Sequence, residues 1–270
     1  MNEGRARAQE ILRELRIDSP EMLAHLKEIC CERGAFVKEG ELENSEARLV
    51  VHGKKGIITV KPNLSYATRM RFSIAHELGH FELHRGLSSL MSCDQNAIND
   101  WGGKRGSRDL ETEANEFASE LLLPEQLVSN FIGSEKPSLA LMEKIAAYFG
   151  TSLFATLRRF MDLTPEACAA IFHRDGFVAY MWQSKNFQSH GYRIKGQVQR
   201  YTYAHDVFEG KSVPKEMSEV EAINWLKIPH WHREEMLKEE ATYFPKLRLG
   251  LSLLWMEEGA LLKRSKTLIQ

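Results

Sequence analysis

The five residues His76-Glu77-Leu78-Gly79-His80 constrain this chain more than any other feature. They lie within Arg71–His84, which reads as a helix with an apolar flank of Phe72, Ile74, Ala75 and Leu78. Each helical residue advances about 100° and 1.5 Å, so His76 and His80 stand one turn apart on nearly the same face. That spacing lets two imidazoles reach one ion, and zinc accepts imidazole nitrogen at about 2.0–2.1 Å with four ligands as its usual number. Glu77 follows the first histidine and points slightly off their common axis, where it can hold a water without filling the water's place. Zinc lowers the pKa of such a water to near 7 and polarises a substrate carbonyl. Glu77 is then placed to take the water's proton and pass it to a leaving amine. Gly79 costs about 1 kcal/mol against alanine inside a helix, which points to close backbone approach there.

A third ligand is expected on the helix that resumes near Asp109 and runs to Leu123, before Pro124. Its apolar face is Ala114, Phe117, Ala118, Leu121 and Leu122, and Glu111 falls in line with that face. A carboxylate aimed at a core is costly unless it meets a cation. Glu111 is therefore the expected ligand and Glu113 the runner-up; the alternative for Glu111 is a charge near a helix N-terminus. Asn115 shares the Glu111 face and either accepts the free N–H of a ligand histidine or is a surface residue. His84 has drifted about 80° around the helix and 12 Å along it from His76, too far to be a direct ligand. It either lines the substrate cleft or closes the helix C-terminus as a cation. Tyr66, just ahead of the helix, is placed with the cleft.

The rest of the chain frames this centre. At 270 residues it holds one large domain or two modest ones. Its 36 basic and 37 acidic residues give a net charge of −1, so no global field exists for gripping DNA or an anionic membrane. No apolar run reaches the roughly 18–20 residues of a membrane helix, and no signal core follows Met1. Cys30, Cys31, Cys93 and Cys168 show no paired spacing and read as reduced thiols in a cytosol.

Residues 5–33 read as two helices broken at Asp18-Ser19-Pro20. Arg48–His52 and Ile57–Val60 read as strands around the turn Gly53–Gly56, forming a small antiparallel sheet whose edge near Val50–Val60 can take an added substrate strand. Gly86–Arg108 is a long polar connection of the kind that serves as a lid or loop. Residues 137–161 read as two short helices turning at Gly150-Thr151-Ser152. Beyond Pro165, Ala169–Phe172 and Phe177–Trp182 read as strands around Arg174-Asp175-Gly176. The tryptophans of this last third read as core, and His230-Trp231-His232 as a weak pocket signal.

Two motifs in order, Arg71-Phe72-Ser73-Ile74-Ala75-His76-Glu77-Leu78-Gly79-His80 and Glu111-x-x-Ala114-Asn115-x-Phe117-Ala118-x-x-Leu121-Leu122-x-Pro124, resemble the ImmA/IrrE family of metallopeptidases. Leu123 stands where methionine is frequent before Pro124. The resemblance implies a minimal gluzincin-type zinc site with His76, His80 and Glu111 as ligands and Glu77 as catalytic acid and base. Manganese is the alternative metal. It also implies a bacterial or phage setting, a stress response, and cleavage of a helix-turn-helix transcriptional repressor of XRE type. Ser138–Phe160 resembles the helix-turn-helix-like segment of IrrE-type proteins, with Arg158 and Arg159 either meeting DNA or belonging to a pair that packs on the core. The small basic excess favours packing.

The expected architecture is α+β. Residues 1–134 form a mainly helical, minimal zincin core with a small antiparallel sheet, 135–164 the helix-turn-helix-like segment, and 165–270 a C-terminal α/β domain that the resemblance makes GAF-like and sensor-like. The expected function is a cytoplasmic zinc endopeptidase acting on a regulatory protein. The competing reading is a non-proteolytic anti-repressor or DNA-associated module with a structural metal. A structural site would normally close with a fourth protein ligand, and Glu77 would then have no evident role.

Overall fold

The computed structural model describes residues 2–43, 45–62, 66–86, 90–92, 107–133, 135–228 and 235–257, the side chains of 90–92, 107 and 108 excepted. Most of the connection between Gly86 and Arg108 lies outside the described residues, as do Cys93 and His230-Trp231-His232. The chain divides into two compact units, Met1–Val128 with Ile145–Thr156, and Ser129–Lys144 with Leu157–Gln270.

The first unit opens with α1 (Glu3–Glu14), capped by Asn2, whose side-chain oxygen accepts the Gly4 N–H at 3.0 Å. Ala8, Ile11 and Leu12 form its buried stripe. Helices α2 (Pro20–Leu23) and α3 (Leu26–Glu32) follow, with Pro20 at the first helical position. Strands β1 (Ala35–Glu39), β2 (Ala47–His52) and β3 (Lys55–Val60) lead into α4 (Ala67–His84). A short β4 (Leu90–Ser92) precedes α5 (Ser107–Leu122).

The sheet order is β1-β3-β2-β4. The β2–β3 hairpin is antiparallel as its alternation predicts, with Ala47, Leu49 and Val51 buried and the residues between them exposed. Two further strands join it. β1 pairs parallel to β3 and β4 pairs antiparallel to β2, so the sheet is mixed. This corrects one expectation: β3 is an interior strand and β2 is covered by β4, so the sheet edges are β1 and β4 rather than the Val50–Val60 hairpin. The reason is non-local pairing, which a local period cannot reveal.

α4 lies against β2 and β3, and α5 lies against both α4 and α1. A Cβ on Gly79 would sit 3.1 Å from Phe117 Cδ1 and 3.2 Å from the Ala114 Cα, so the absence of a side chain sets how closely α4 and α5 cross. At Gly4 the approach is tighter: a Cβ there would lie 2.1 Å from the Glu113 carbonyl oxygen. The fully buried Glu82 carboxylate ties three elements together, meeting Arg7 Nη2 of α1 at 2.6 Å and Arg33 Nε beyond α3 at 2.9 Å.

Helices α6 (Glu125–Ile132), α7 (Leu139–Phe149) and α8 (Leu153–Leu163) follow, and the division into units passes through all three. Within the second unit Arg159 is fully buried and the Arg158 guanidinium lies 6.0 Å from the Trp182 ring. Arg158 thus packs on an aromatic ring, and the buried Arg159 presents no charge to a solvent-side ligand.

The rest of the second unit is β5 (Ala167–Arg174), β6 (Phe177–Gln183), α9 (Lys185–Ser189), α10 (Tyr203–Phe208), β7 (Ser218–Glu221), α11 (Ala222–Trp225), β8 (Met236–Phe244) and β9 (Leu249–Met256). The five strands form one antiparallel sheet in the order β6-β5-β9-β8-β7. The β5–β6 turn has positive φ at Asp175 (51°) and Gly176 (80°), as a two-residue hairpin turn of the primed type requires. β9 is buried along its whole length. Trp225, Phe187, Ile171 and Leu254 centre the core of this unit. The molecule is α+β, and no described helix is long and apolar enough to cross a membrane.

Candidate metal centre

The centre is built by α4 and α5 in the first unit. His76, Glu77 and His80 are all fully buried on α4. His76 Nε2 and His80 Nε2 lie 3.1 Å apart. Glu111 reaches them from α5, with Oε2 3.2 Å from His76 Nε2 and Oε1 3.3 Å from His80 Nε2. Three donors on an ion with bonds of about 2.0–2.1 Å at tetrahedral angles stand about 3.3 Å apart. The observed separations match that figure, and two imidazoles with one carboxylate are a donor set zinc accepts. Among the described residues these three form the one group able to hold a metal ion.

The far nitrogens fix the tautomers. His76 Nδ1 is 3.0 Å from Asn115 Oδ1, an oxygen that only accepts. His76 therefore donates from Nδ1 and keeps the Nε2 lone pair facing the centre. His80 Nδ1 is 3.0 Å from His84 Nδ1, and His84 Nε2 is 2.9 Å from Glu113 Oε2. The carboxylate takes the His84 Nε2–H, which leaves His84 Nδ1 to accept from His80 and points the His80 Nε2 lone pair at the centre.

Burial alone would raise the Glu111 carboxyl, but when His76 and His80 carry protons on Nε2, the position an ion would take, their hydrogen bonds and charge hold it well below the usual carboxylate range. Burial, with His76 and His84 alongside, pushes His80 down despite the opposing pull of Glu111. A low His80 pKa keeps the imidazole neutral, the form that binds metal.

The structure therefore brings His76, His80, Glu111, Asn115 and His84 together, with Glu77 buried next to His76 on α4. Glu113 stands one step back, against His84 rather than beside Glu111. His84 is 2% exposed and sits inside the helix, whose C-cap is Arg85. Tyr66 is the N-cap residue of α4, 64% exposed, and ten positions before His76. The His84–Glu113 pair behind His80 escapes a search for direct ligands. The signal for it was present in the continuing i, i+4 series His76, His80, His84 and in a second acid two positions after Glu111.

A family model described as the IrrE N-terminal-like domain, Peptidase M78, matches residues 35–161, which include both motifs. Metallopeptidase ImmA of Bacillus subtilis (strain 168) is 30% identical over 138 residues, 48% of this chain and 70% of that protein. A solved structure, a Mycobacterium tuberculosis transcriptional regulator, is similar with a TM-score of 0.56 at 14% identity, over 94% of this chain and 76% of that one. At that identity the likeness is one of fold.

Proposed function

From its membership of the ImmA/IrrE metallopeptidase family, to which this chain belongs, we propose that it is a zinc-dependent endopeptidase that cuts a regulatory protein, a helix-turn-helix repressor of XRE type. The observation that carries the reading is the convergence of His76, His80 and Glu111, at 3.1–3.3 Å separations, with the buried Glu77 next in sequence to the first. Among the described residues three protein donors rather than four converge, which favours a catalytic over a structural site.

A bound zinc, with manganese the alternative, supplies Lewis-acid polarisation of the scissile carbonyl and makes water more acidic. The residues of the chain do the rest. Glu77 accepts a proton from the attacking water as the new C–O bond forms, then returns it to the amine nitrogen as the C–N bond breaks. Burial of Glu77 keeps bulk water from competing for that proton. Asn115 holds His76, and the His84–Glu113 pair holds His80, each in the tautomer that turns its lone pair inward.

The test compares new protein N-termini in host cells that express wild type or Glu77→Gln, in ordinary growth and under DNA damage, with bound metal measured on both purified proteins. The expected result is equal metal content and termini that appear only with the wild type. Termini identical in the two strains would refute the assigned role of Glu77. Loss of repression that survives Glu77→Gln would establish the anti-repressor reading instead.

A further inference from the structure

We propose that the outward face of the first unit's sheet is a docking surface for an amphipathic helix whose apolar stripe is flanked by acidic side chains. This inference stands apart from the metal centre, because α4 occupies the other face: Phe81 of α4 lies under Gly56 of β3, beside the inward Leu49.

Strand alternation sorts the two faces. Leu49, Val51, Ile58 and Val60 point inward and are buried. The outward positions are Phe36 and Lys38 on β1, Lys55, Ile57 and Thr59 on β3, and Arg48, Val50 and His52 on β2. Register aligns them in rows across the strands. Phe36 pairs with Ile57, and Ile57 with Val50. These three are 45%, 44% and 37% exposed, an apolar row open to solvent.

A basic row lies on each side of it. Lys38, Thr59 and Arg48 are paired across the strands on one side, and Lys55 and His52 on the other. No carboxylate stands on this face of the three strands. Among the described residues, Lys38, Arg48 and Lys55 make no ion pair with an acid, unlike Arg7, Arg33 and Arg69 of the same unit. In a chain of net charge −1 this is a local concentration of positive charge.

The dimensions select the occupant. Two strand spacings of about 4.8 Å place Phe36 and Val50 about 10 Å apart across the sheet. Two helical turns cover about 11 Å. A helix lying along the row would set residues i, i+3 or i+4, and i+7 over Phe36, Ile57 and Val50. The basic rows lie about 7 Å to either side, the length of two strand residues, where the flanks of a helix about 10 Å wide would come down. Acidic side chains on those flanks would meet Lys38 and Arg48 on one side and Lys55 on the other. A sheet normally buries an apolar face against a second layer, and a partner helix provides that layer here. A nucleic-acid strand fits less well, because the row between the cations is aliphatic apart from Phe36 and offers one stacking ring.

The test uses random 16-residue peptides displayed on phage, selected on the full chain and counter-selected on Val50→Thr/Ile57→Thr. Those substitutions keep β-branched residues in the strands, and unchanged metal content verifies the fold. Expected are sequences with apolar residues at helical spacing flanked by Asp and Glu, whose binding weakens at least tenfold in Lys38→Glu and separately in Arg48→Glu. Failure to enrich any sequence over the counter-selected variant would overturn the proposal, as would enrichment without acidic bias. A mixed-sequence DNA duplex that binds more tightly than the selected peptides, and loses that binding in Lys38→Glu, would assign the face to nucleic acid and overturn it as well.

Discussion

Glu239 is expected to be the polar residue on which the second unit most depends, and Glu239→Gln tests this with a change of one atom. The side chain is fully buried on β8. Its Oε1 accepts from the Ala204 N–H at 2.8 Å and the Ser252 hydroxyl at 3.0 Å. Its Oε2 accepts from the Tyr203 N–H and the Trp225 indole N–H, both at 3.0 Å. One residue thus joins the start of α10, the end of α11 and strand β9. Glutamine must put its NH2 on one side. At the Oε2 position it would face two donors, so it takes the Oε1 position, where Ser252 can accept but the Ala204 N–H cannot. One backbone N–H and one side-chain N–H are then buried without acceptors. At about 1–3 kcal/mol for each unsatisfied group, the cost is about 2–6 kcal/mol. Glu239→Ala orphans up to four donors and leaves a cavity, a loss above about 5 kcal/mol and comparable with the whole stability of a domain. Burial pushes the Glu239 carboxyl above its ordinary 4.5, although Trp225, the two amides and Ser252 oppose it. Between 4.5 and the raised value the folded chain binds more protons than the unfolded chain. The carboxyl's contribution is therefore complete below about 4.5 and is lost as pH rises through the folded value. The gap between wild type and Glu239→Gln should be widest at low pH and narrow as pH rises through the raised folded value. Urea unfolding at several pH values measures the gap, and hydrogen exchange at Tyr203 and Ala204 assigns it to this unit. A cost below about 0.5 kcal/mol at pH 5, or a gap that widens with pH, would refute the reasoning.

Further outcomes follow from the same distances. Asn115→Ala and Glu113→Ala should each weaken metal binding about 10–100-fold in a chelator competition, because each releases one histidine tautomer; His84→Ala with Glu113→Ala should be no worse than His84→Ala alone, since the two act in series. Gly4→Ala should cost about 1–3 kcal/mol in thermal unfolding and loosen the metal, because the new Cβ would meet the Glu113 carbonyl on the helix that carries Glu111. Buried His173 is pushed down to about 4 by desolvation. The unfolded chain then takes up the proton first, so about 3 kcal/mol present above pH 6.5 should be lost as pH falls to about 4, and His173→Met should flatten that dependence in urea titrations.

What could be read in advance divides along physical lines. His76, His80 and Glu111 were legible because a 3.6-residue period and the cost of a core-facing carboxylate are local properties. The hairpins at Gly53-Lys54 and Asp175-Gly176 were legible because turn chemistry is local too. β1 and β4 were not, since each is defined by a partner elsewhere in the chain: Phe36 pairs with Ile57, and Leu90 with Val50. Glu113 shows the limit most sharply. Its sequence position made it a rival to Glu111, yet its carboxylate meets His84, while its carbonyl oxygen lies beside Gly4, more than a hundred residues away. The three converging donors need only two helices in register. The groups that orient them need the whole unit assembled, with α1 pressed against α5 at Gly4 and α4 against α5 at Gly79. Helical phase turns Glu111 to the two inner histidines and Glu113 to His84, and the close approaches at Gly4 and Gly79 bring the helices near enough for both contacts to form.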